Sequence, residues 1–340
     1  MPAIRSSETL ADPFTHLCFS TCLTLIFFIT GATLDTKVLL QNYARWKLLL
    51  YTQTLSFLMT SAVVFGLVEA VATDHDFMDP GLLVGLIFFS CVATTISSNV
   101  VMTRQAHGNT ALTVVQTTVG NLIGVFITPA LVVMYTSTNA WYNDSLPATS
   151  GSSAWGEIYR RVLKQLGLSI YLPLVVGQVV RHFFPTLCKR IFVDWKLNKI
   201  GSIALLVLLW ATYDQAFATS SFSLVPGSNM VFIVFISIAL WLVFFGITIF
   251  TAILWLERED VVAVCMCVPA KGIVMGVPIS STIWDGMELG MQSKVQIPIV
   301  VYQGLQLVAA SLLVPVFRRW IDRKRARERG EGDGCEEEKD

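Results

Sequence analysis

Apolar residues in this chain run in long unbroken stretches and do not recur at every third or fourth position as they do on a soluble amphipathic helix. Leu17 to Leu34 and Val231 to Leu256 each proceed without one charged side chain. A run of about 18 or more such residues reads as a membrane span, because a helix must cross about 30 Å of hydrocarbon. The pattern predicts nine spans, at roughly 14–34, 46–72, 81–106, 110–136, 162–182, 200–219, 229–256, 260–284 and 295–320. Lipid offers no hydrogen-bond partner to an open backbone, so the expected class is an all-α integral membrane protein.

Two of these spans break their own pattern. In the third, Ala93-Thr94-Thr95-Ile96-Ser97-Ser98-Asn99 places five polar residues in seven positions. In the eighth, Pro269-Ala270-Lys271-Gly272 interrupts the run, and Gly276-Val277-Pro278 interrupts it again. Each is followed by a span with a proline toward its end, Pro129 and Pro315, which suggests an internal repeat. Broken helices at matching positions of two halves point to a transporter site, because unwound backbone leaves carbonyls, amides and helix ends facing a cavity. The alternative is that the hydroxyls bond back to their own helix and the prolines only kink it. Thr95, Ser97, Pro269 and Gly272 are the residues expected at the breaks.

Composition agrees with lipid as the main solvent: 54% of the 340 residues are hydrophobic and 14% charged, where a soluble domain carries about 25% charged. The seven cysteines lie mostly inside apolar runs without paired spacing, and read as small buried hydrophobes, not as metal or redox groups. The four histidines are scattered, and the chain has no Walker loop, dinucleotide fingerprint or nucleophile elbow. An enzyme is therefore not expected, nor a nucleic-acid partner, and membrane lipid is the one contact that composition requires.

The formal net charge is zero, but the basic residues are unevenly placed. Sorted by alternate loops, eighteen of the 24 Lys and Arg fall on one side, including Lys37, Arg45, Lys47, Arg104, Arg181, Arg258 and the eight from Arg318 onward. That side is expected to be cytoplasmic, with the C-terminal tail on it. The opposite side carries Asp74, Asp76 and Asp79, and an Asn143-Asp144-Ser145 sequon. Nine spans with a cytoplasmic C-terminus put the N-terminus outside, although residues 1–13 carry no signal-peptide pattern; a further helix upstream would restore ordinary parity. The organisation expected is a tail at 1–13, a first repeat at 14–136, an exterior loop at 137–156, a second repeat at 157–321 and a disordered charged tail at 322–340. The basic half of that tail is also suited to anionic lipid.

At the broken spans the chain resembles a known family. Ser98-Asn99-Val100, then Gly108-Asn109-Thr110-Ala111-Leu112-Thr113, then Thr128-Pro129-Ala130-Leu131 is similar to the most distinctive stretch of the sodium/bile-acid symporters. Ile26-Phe27-Phe28 with Gly31, Pro173 to Arg181, and Lys271 with Gly276-Val277-Pro278 narrow the resemblance to the seventh branch, whose fungal members are called regulators of calcium homeostasis. It extends from about Thr15 to Ile321. The resemblance implies two inverted five-helix repeats with two crossed broken helices, here lacking the first helix. It also implies a sodium site, with sodium as a candidate coupling ion, at Ser98, Asn99, Thr113 and Thr117, all oxygen-bearing as a hard cation prefers. Where the coupled relatives place an acidic residue followed by glutamine and asparagine, this chain has Val268-Pro269-Ala270-Lys271-Gly272, with no carboxylate for a second ion.

Lys271 is the one lysine predicted inside the hydrocarbon. A central lysine costs about 2.5–3.5 kcal/mol on insertion scales and so should face protein or water. Its ammonium is expected to fill the space of a cation, held by backbone carbonyls at the break and by Ser98 or Asn99. Gln178 and Gln303 are candidates to line the cavity or to bond across helices, Asp214 to carry a proton or cation, and Glu69 to lie at the interface. Two functions follow: a secondary transporter for a small organic anion or ion, or a regulatory membrane protein restraining calcium entry through a partner channel or pump. The plasma membrane is the expected location, with the endoplasmic reticulum or Golgi as the alternative.

Overall fold

The computed structural model describes residues 45–95, 97–138, 140–145, 172–194, 225–284 and 289–336, with isolated positions elsewhere. The predicted spans at 14–34 and 200–219, with Asp214, fall almost wholly outside them, as does the first half of the span at 162–182. Among the described residues every regular element is helical.

Helix α1 (Trp46–Val71) contains a π-helical turn at Leu55–Met59. After a short polar turn come α2 (Pro80–Cys91) and α3 (Ser97–Gln105), then α4 (Thr110–Thr136) and a 3₁₀ turn at Trp141–Ser145. Further along lie α5 (Leu172–Phe183), α6 (Gly227–Ala252), α7 (Arg258–Cys267), α8 (Ile273–Ile283) and α9 (Leu289–Glu336). Among the described residues four helices are long and apolar enough to cross a membrane: Trp46–Val71, Thr110–Thr136, Gly227–Ala252 and Gly290–Arg327. The predicted spans at 81–106 and 260–284 are each two shorter helices, α2 with α3 and α7 with α8.

The local sequence accounts for the element ends. Asp79 caps α2 by accepting from Gly81 N at 2.9 Å, and Pro80 sits at the first helical position, where its missing N–H costs nothing. Asn109 caps α4 by accepting from Leu112 N at 3.0 Å. Between α3 and α4 the backbone reverses through His107 at φ 60°, and Gly108 N closes the turn on Thr103 O at 2.9 Å.

Helix α2 forms the centre of the bundle, with Gly81 through Cys91 all buried. A helix apolar all round fits only such a place. It packs against α9, α1 and α4. Lipid is as apolar as leucine, so close packing and hydrogen bonds drive this association more than burial from water does. Gly85 allows the closest approach: a Cβ there would lie 2.5 Å from Val295 O on α9. The outer faces of α6 and α9 instead expose Val231, Phe235, Leu242, Val308 and Leu312, as lipid-facing helices do.

The segment from 322 continues α9 as helix to Glu336. From Arg323 to Arg329 the residues are good helix formers, and the segment is tied to the bundle: Lys324 and Arg325 both reach Glu259 at 3.7 Å, and Arg318 pairs with Asp322 one turn on.

Candidate functional site

The gaps at 92–96 and 268–272 lie against each other. Gly272 N donates to Ala93 O at 2.9 Å, and Thr94 Oγ1 donates to Cys267 O at 2.8 Å. A Cβ on Gly272 would sit 3.3 Å from Ala93 O and from the Thr95 backbone, so glycine permits main chain to meet main chain. Thr95 lies in the first gap and Ser97 opens α3; Pro269 and Gly272 lie in the second gap.

Lys271 occupies this junction and is 0% exposed. Its three N–H donors are shared among four oxygens, Ser56 O at 2.6 Å, Ser90 O at 2.7 Å, Thr60 Oγ1 at 3.0 Å and Val92 O at 3.1 Å from Nζ. The folding of each neighbour explains why these oxygens are available. Ser56 lies in the π turn of α1, which shifts the ordinary hydrogen-bond ladder, and Ser90 and Val92 lie at the end of α2, where carbonyls lose intrahelical partners. The negative end of the α2 dipole adds to the attraction. Ser98 and Asn99, expected as partners of the ammonium, bond elsewhere.

The unwound backbone at Lys271 has a partner of its own. Gln306 on α9 accepts from Lys271 N at 2.7 Å and donates to Lys271 O at 2.7 Å, which satisfies both main-chain groups that the break exposes. Tyr302, one turn earlier, donates to Pro269 O at 2.7 Å. Gln303 supports this clamp by accepting from Gln306 Nε2 at 2.9 Å. The clamping glutamine is therefore Gln306, three residues beyond the one singled out from sequence; its position one turn after Tyr302 and Gln303 was the available signal.

The four oxygen-bearing candidates enter several hydrogen-bond groups. Ser98 Oγ donates to Thr95 Oγ1 at 3.3 Å. Asn99 Nδ2 donates to Thr94 Oγ1 at 2.8 Å, and Asn121 Nδ2 donates to Thr94 O at 2.9 Å and Thr117 O at 2.7 Å. The Thr113 hydroxyl donates to Thr103 Oγ1 and Asn109 O, and the Thr117 hydroxyl to Thr113 O at 2.9 Å. Asn99, Pro269, Ala270 and Gln306 line a cavity of about 10 Å³, room for roughly one water.

One end of the bundle carries a second polar group that the sequence reading missed. The Asp260 carboxylate, 5% exposed, accepts from Arg45 Nη2 and, at 2.7 Å, from Asn109 Nδ2. Asn109 N also donates to Glu259 O at 2.9 Å, and His107 Nδ1 meets Asp322 Oδ1 at 2.8 Å. The hydrogen bond from Arg45 to Asp260 holds its guanidinium above the ordinary arginine range, against the opposing effect of burial. Arg45, His107, Asn109 and Asp260, with Glu257, Glu259 and Arg325, line an open recess of about 560 Å³. At the other end Lys294 pairs with Asp79 at 2.6 Å, and Tyr142 Oη donates to Glu69 Oε1 at 2.5 Å. Burial, then Glu69, pushes the Tyr142 phenol up.

Among the described residues, no group of three or more His, Cys, Asp and Glu is placed to hold a metal ion. Cys91, Cys188, Cys265 and Cys267 are buried free thiols.

Residues 9–319 match the model of the SBF-like CPA transporter family. The chain is similar to the solute carrier RCH1 of Candida albicans, 36% identical over 329 residues that cover 87% of this chain and 79% of that protein. It is similar to the solute carrier RCH1 of Saccharomyces cerevisiae at 34% identity, covering 93% of this chain and 80% of the relative. Sodium/bile acid cotransporter 7 of Xenopus tropicalis is 28% identical over 307 residues, covering 87% and 81%. With four long apolar helices and two abutting helix gaps among its described residues, and a match along most of its length, the chain belongs to the SBF-like CPA transporter family.

Proposed function

We propose that this protein is a secondary transporter for a small organic anion or ion whose cycle does not require a cation bound at the helix junction, because the Lys271 ammonium permanently takes that place. The observation that carries the reading is the set of four oxygens around Nζ, three of them main-chain carbonyls. Carbonyl and hydroxyl oxygens are what a hard cation selects. A lysine there supplies the charge and its own donors without leaving the protein. The two inverted repeats implied by the resemblance would place the junction at the crossing of two equivalent halves, the usual position of a transporter site.

Ser98, Asn99, Thr113 and Thr117 belong to this reading as wall residues. Thr113 and Thr117 already donate to carbonyls of their own helix, yet each hydroxyl oxygen keeps lone pairs for a cargo. A second reading is favoured by the smallness of the space beside the junction, about 10 Å³. On it the protein moves no solute and restrains calcium influx through another channel or pump of the cell membrane.

The experiment is done in cells expressing native protein, Lys271→Met or Lys271→Glu at matched surface level. Uptake of radiolabelled taurocholate, chosen from the name of the vertebrate relatives, and cytosolic calcium are read in the same cells with sodium or choline outside. Native activity that persists in choline and is lost in Lys271→Met supports the transporter reading. Native activity abolished by choline refutes it. Unchanged uptake beside altered calcium in the expressing cells selects the regulatory reading.

A further inference from the structure

The terminal part of α9 changes from apolar to basic without changing face. Val308, Leu312 and Val316 are 62%, 70% and 58% exposed and lie at successive four-residue intervals on the outer side of the helix. Three residues after Val316 the same side continues with Arg319, Arg323 and Arg327, again four apart and all exposed. Phe317 and Ile321, on the opposite side, are 5% and 0% exposed and pack into the bundle. The row that meets acyl chains thus runs directly into a row of guanidinium groups.

Three arginines at i, i+4 and i+8 repel one another on an isolated helix. Among the described residues no carboxylate pairs with any of the three, whereas Arg318 pairs with Asp322, and Lys324 and Arg325 with Glu259. We propose that Arg319, Arg323 and Arg327 form a binding surface for the headgroups of anionic phospholipids at the membrane face where α9 emerges.

The geometry favours lipid over a soluble anion. At 1.5 Å per residue, Arg319 and Arg323 stand about 5 and 10 Å beyond Val316 along the axis, within or beside the headgroup layer that adds several ångströms to each side of the hydrocarbon. Arg327 stands about 16 Å beyond it, and the length of its side chain lets the guanidinium lean back toward the phosphates. Guanidinium binds phosphate by paired parallel hydrogen bonds, so each arginine fits one headgroup. The opposite side of the same turns holds Glu259 at the start of α7, so a lipid bound outside also fixes the helix end that steadies the second broken pair.

Full-length protein in detergent is titrated with phosphatidylserine or phosphatidylcholine of identical acyl chains, and bound lipid is counted by native mass spectrometry. Inorganic phosphate serves as a competing arm. The expected result is retention of phosphatidylserine at about tenfold lower concentration than phosphatidylcholine. That preference should be lost in Arg319→Gln/Arg323→Gln/Arg327→Gln and largely kept in the matching triple lysine variant. Equal retention of the two lipids by the native protein overturns the proposal, as does an unchanged preference in the glutamine variant. Loss of the preference to equimolar phosphate would make this a free-phosphate site and overturn the lipid assignment. If the glutamine variant does not fold, native protein at raised salt decides: the preference must shrink as salt rises, and a salt-independent preference overturns the proposal.

Discussion

Replacing Lys271 with methionine keeps the length and most of the volume of the side chain while removing its charge and donors. The four oxygens stay where α1 and the end of α2 hold them. Thr60 Oγ1 already donates to Ser56 O at 2.6 Å and reaches Ser90 O at 3.2 Å, so one hydroxyl must serve both. Val92 O and part of the demand at Ser90 O are left without a donor, and each buried orphan costs about 1–3 kcal/mol. Against this stands the relief of no longer holding a lysine in the bilayer, about 2.5–3.5 kcal/mol at most on insertion scales. The loss of charge-assisted bonds, each worth about 1.5–3 kcal/mol, tips the balance toward destabilisation. The net expectation is about 2 kcal/mol, or roughly 4 °C in the thermal midpoint of a chain this long. The assay is the monodisperse fraction remaining after heating in detergent, at one scan rate because unfolding of such proteins is irreversible. A second substitution sharpens the test. Thr60→Val should cost more in the methionine background than in the native one, because there the hydroxyl is the last donor to those carbonyls. A methionine variant as stable as native, with Thr60→Val equally costly in both backgrounds, would refute the assignment of the carbonyl cage as a structural necessity.

Gln306→Leu strips two main-chain partners from the break and should destabilise by about 2–4 kcal/mol, whereas Gln303→Leu, which loses one bond to Gln306, should cost about 1 kcal/mol or less; thermal midpoints of the pair check this. Asp260→Asn keeps an acceptor for Asn109 and loses only the ion pair with a 43%-exposed Arg45, so a change of about 1 kcal/mol or less is expected. Asp260→Ala removes both contacts and should cost about 2–3 kcal/mol, read as faster proteolysis of the loop between α3 and α4. Asp79→Ala takes the cap from α2 and the partner from Lys294, with an expected loss of about 1–2 kcal/mol by the same thermal assay.

The helical, membrane-embedded class is legible because runs such as Val231 to Leu256 admit no other solvent than lipid. The gaps at 92–96 and 268–272 coincide with the places where Thr94, Thr95, Pro269 and Gly272 interrupt apolar runs. Lys271 stands out for the same reason, as a charge where none is tolerated without a partner. Backbone carbonyls were expected around it, but that one of them, Ser56 O, comes from α1 was not legible, because the π turn at Leu55–Met59 leaves no mark in Leu-Ser-Phe-Leu-Met. Gln306 was passed over for Gln303 because only the packed structure tells which side of α9 faces the break. The Asp260 group was missed because charges near helix ends usually read as solvated.

The bond from Gly272 to Ala93 joins the two broken pairs through amide and carbonyl alone. No side chain takes part in it, so substitutions at the neighbouring positions of the junction leave both of its atoms in place. Gly272→Pro deletes the donor itself, and any larger residue at 272 brings a Cβ to 3.3 Å from Ala93 O and the Thr95 backbone.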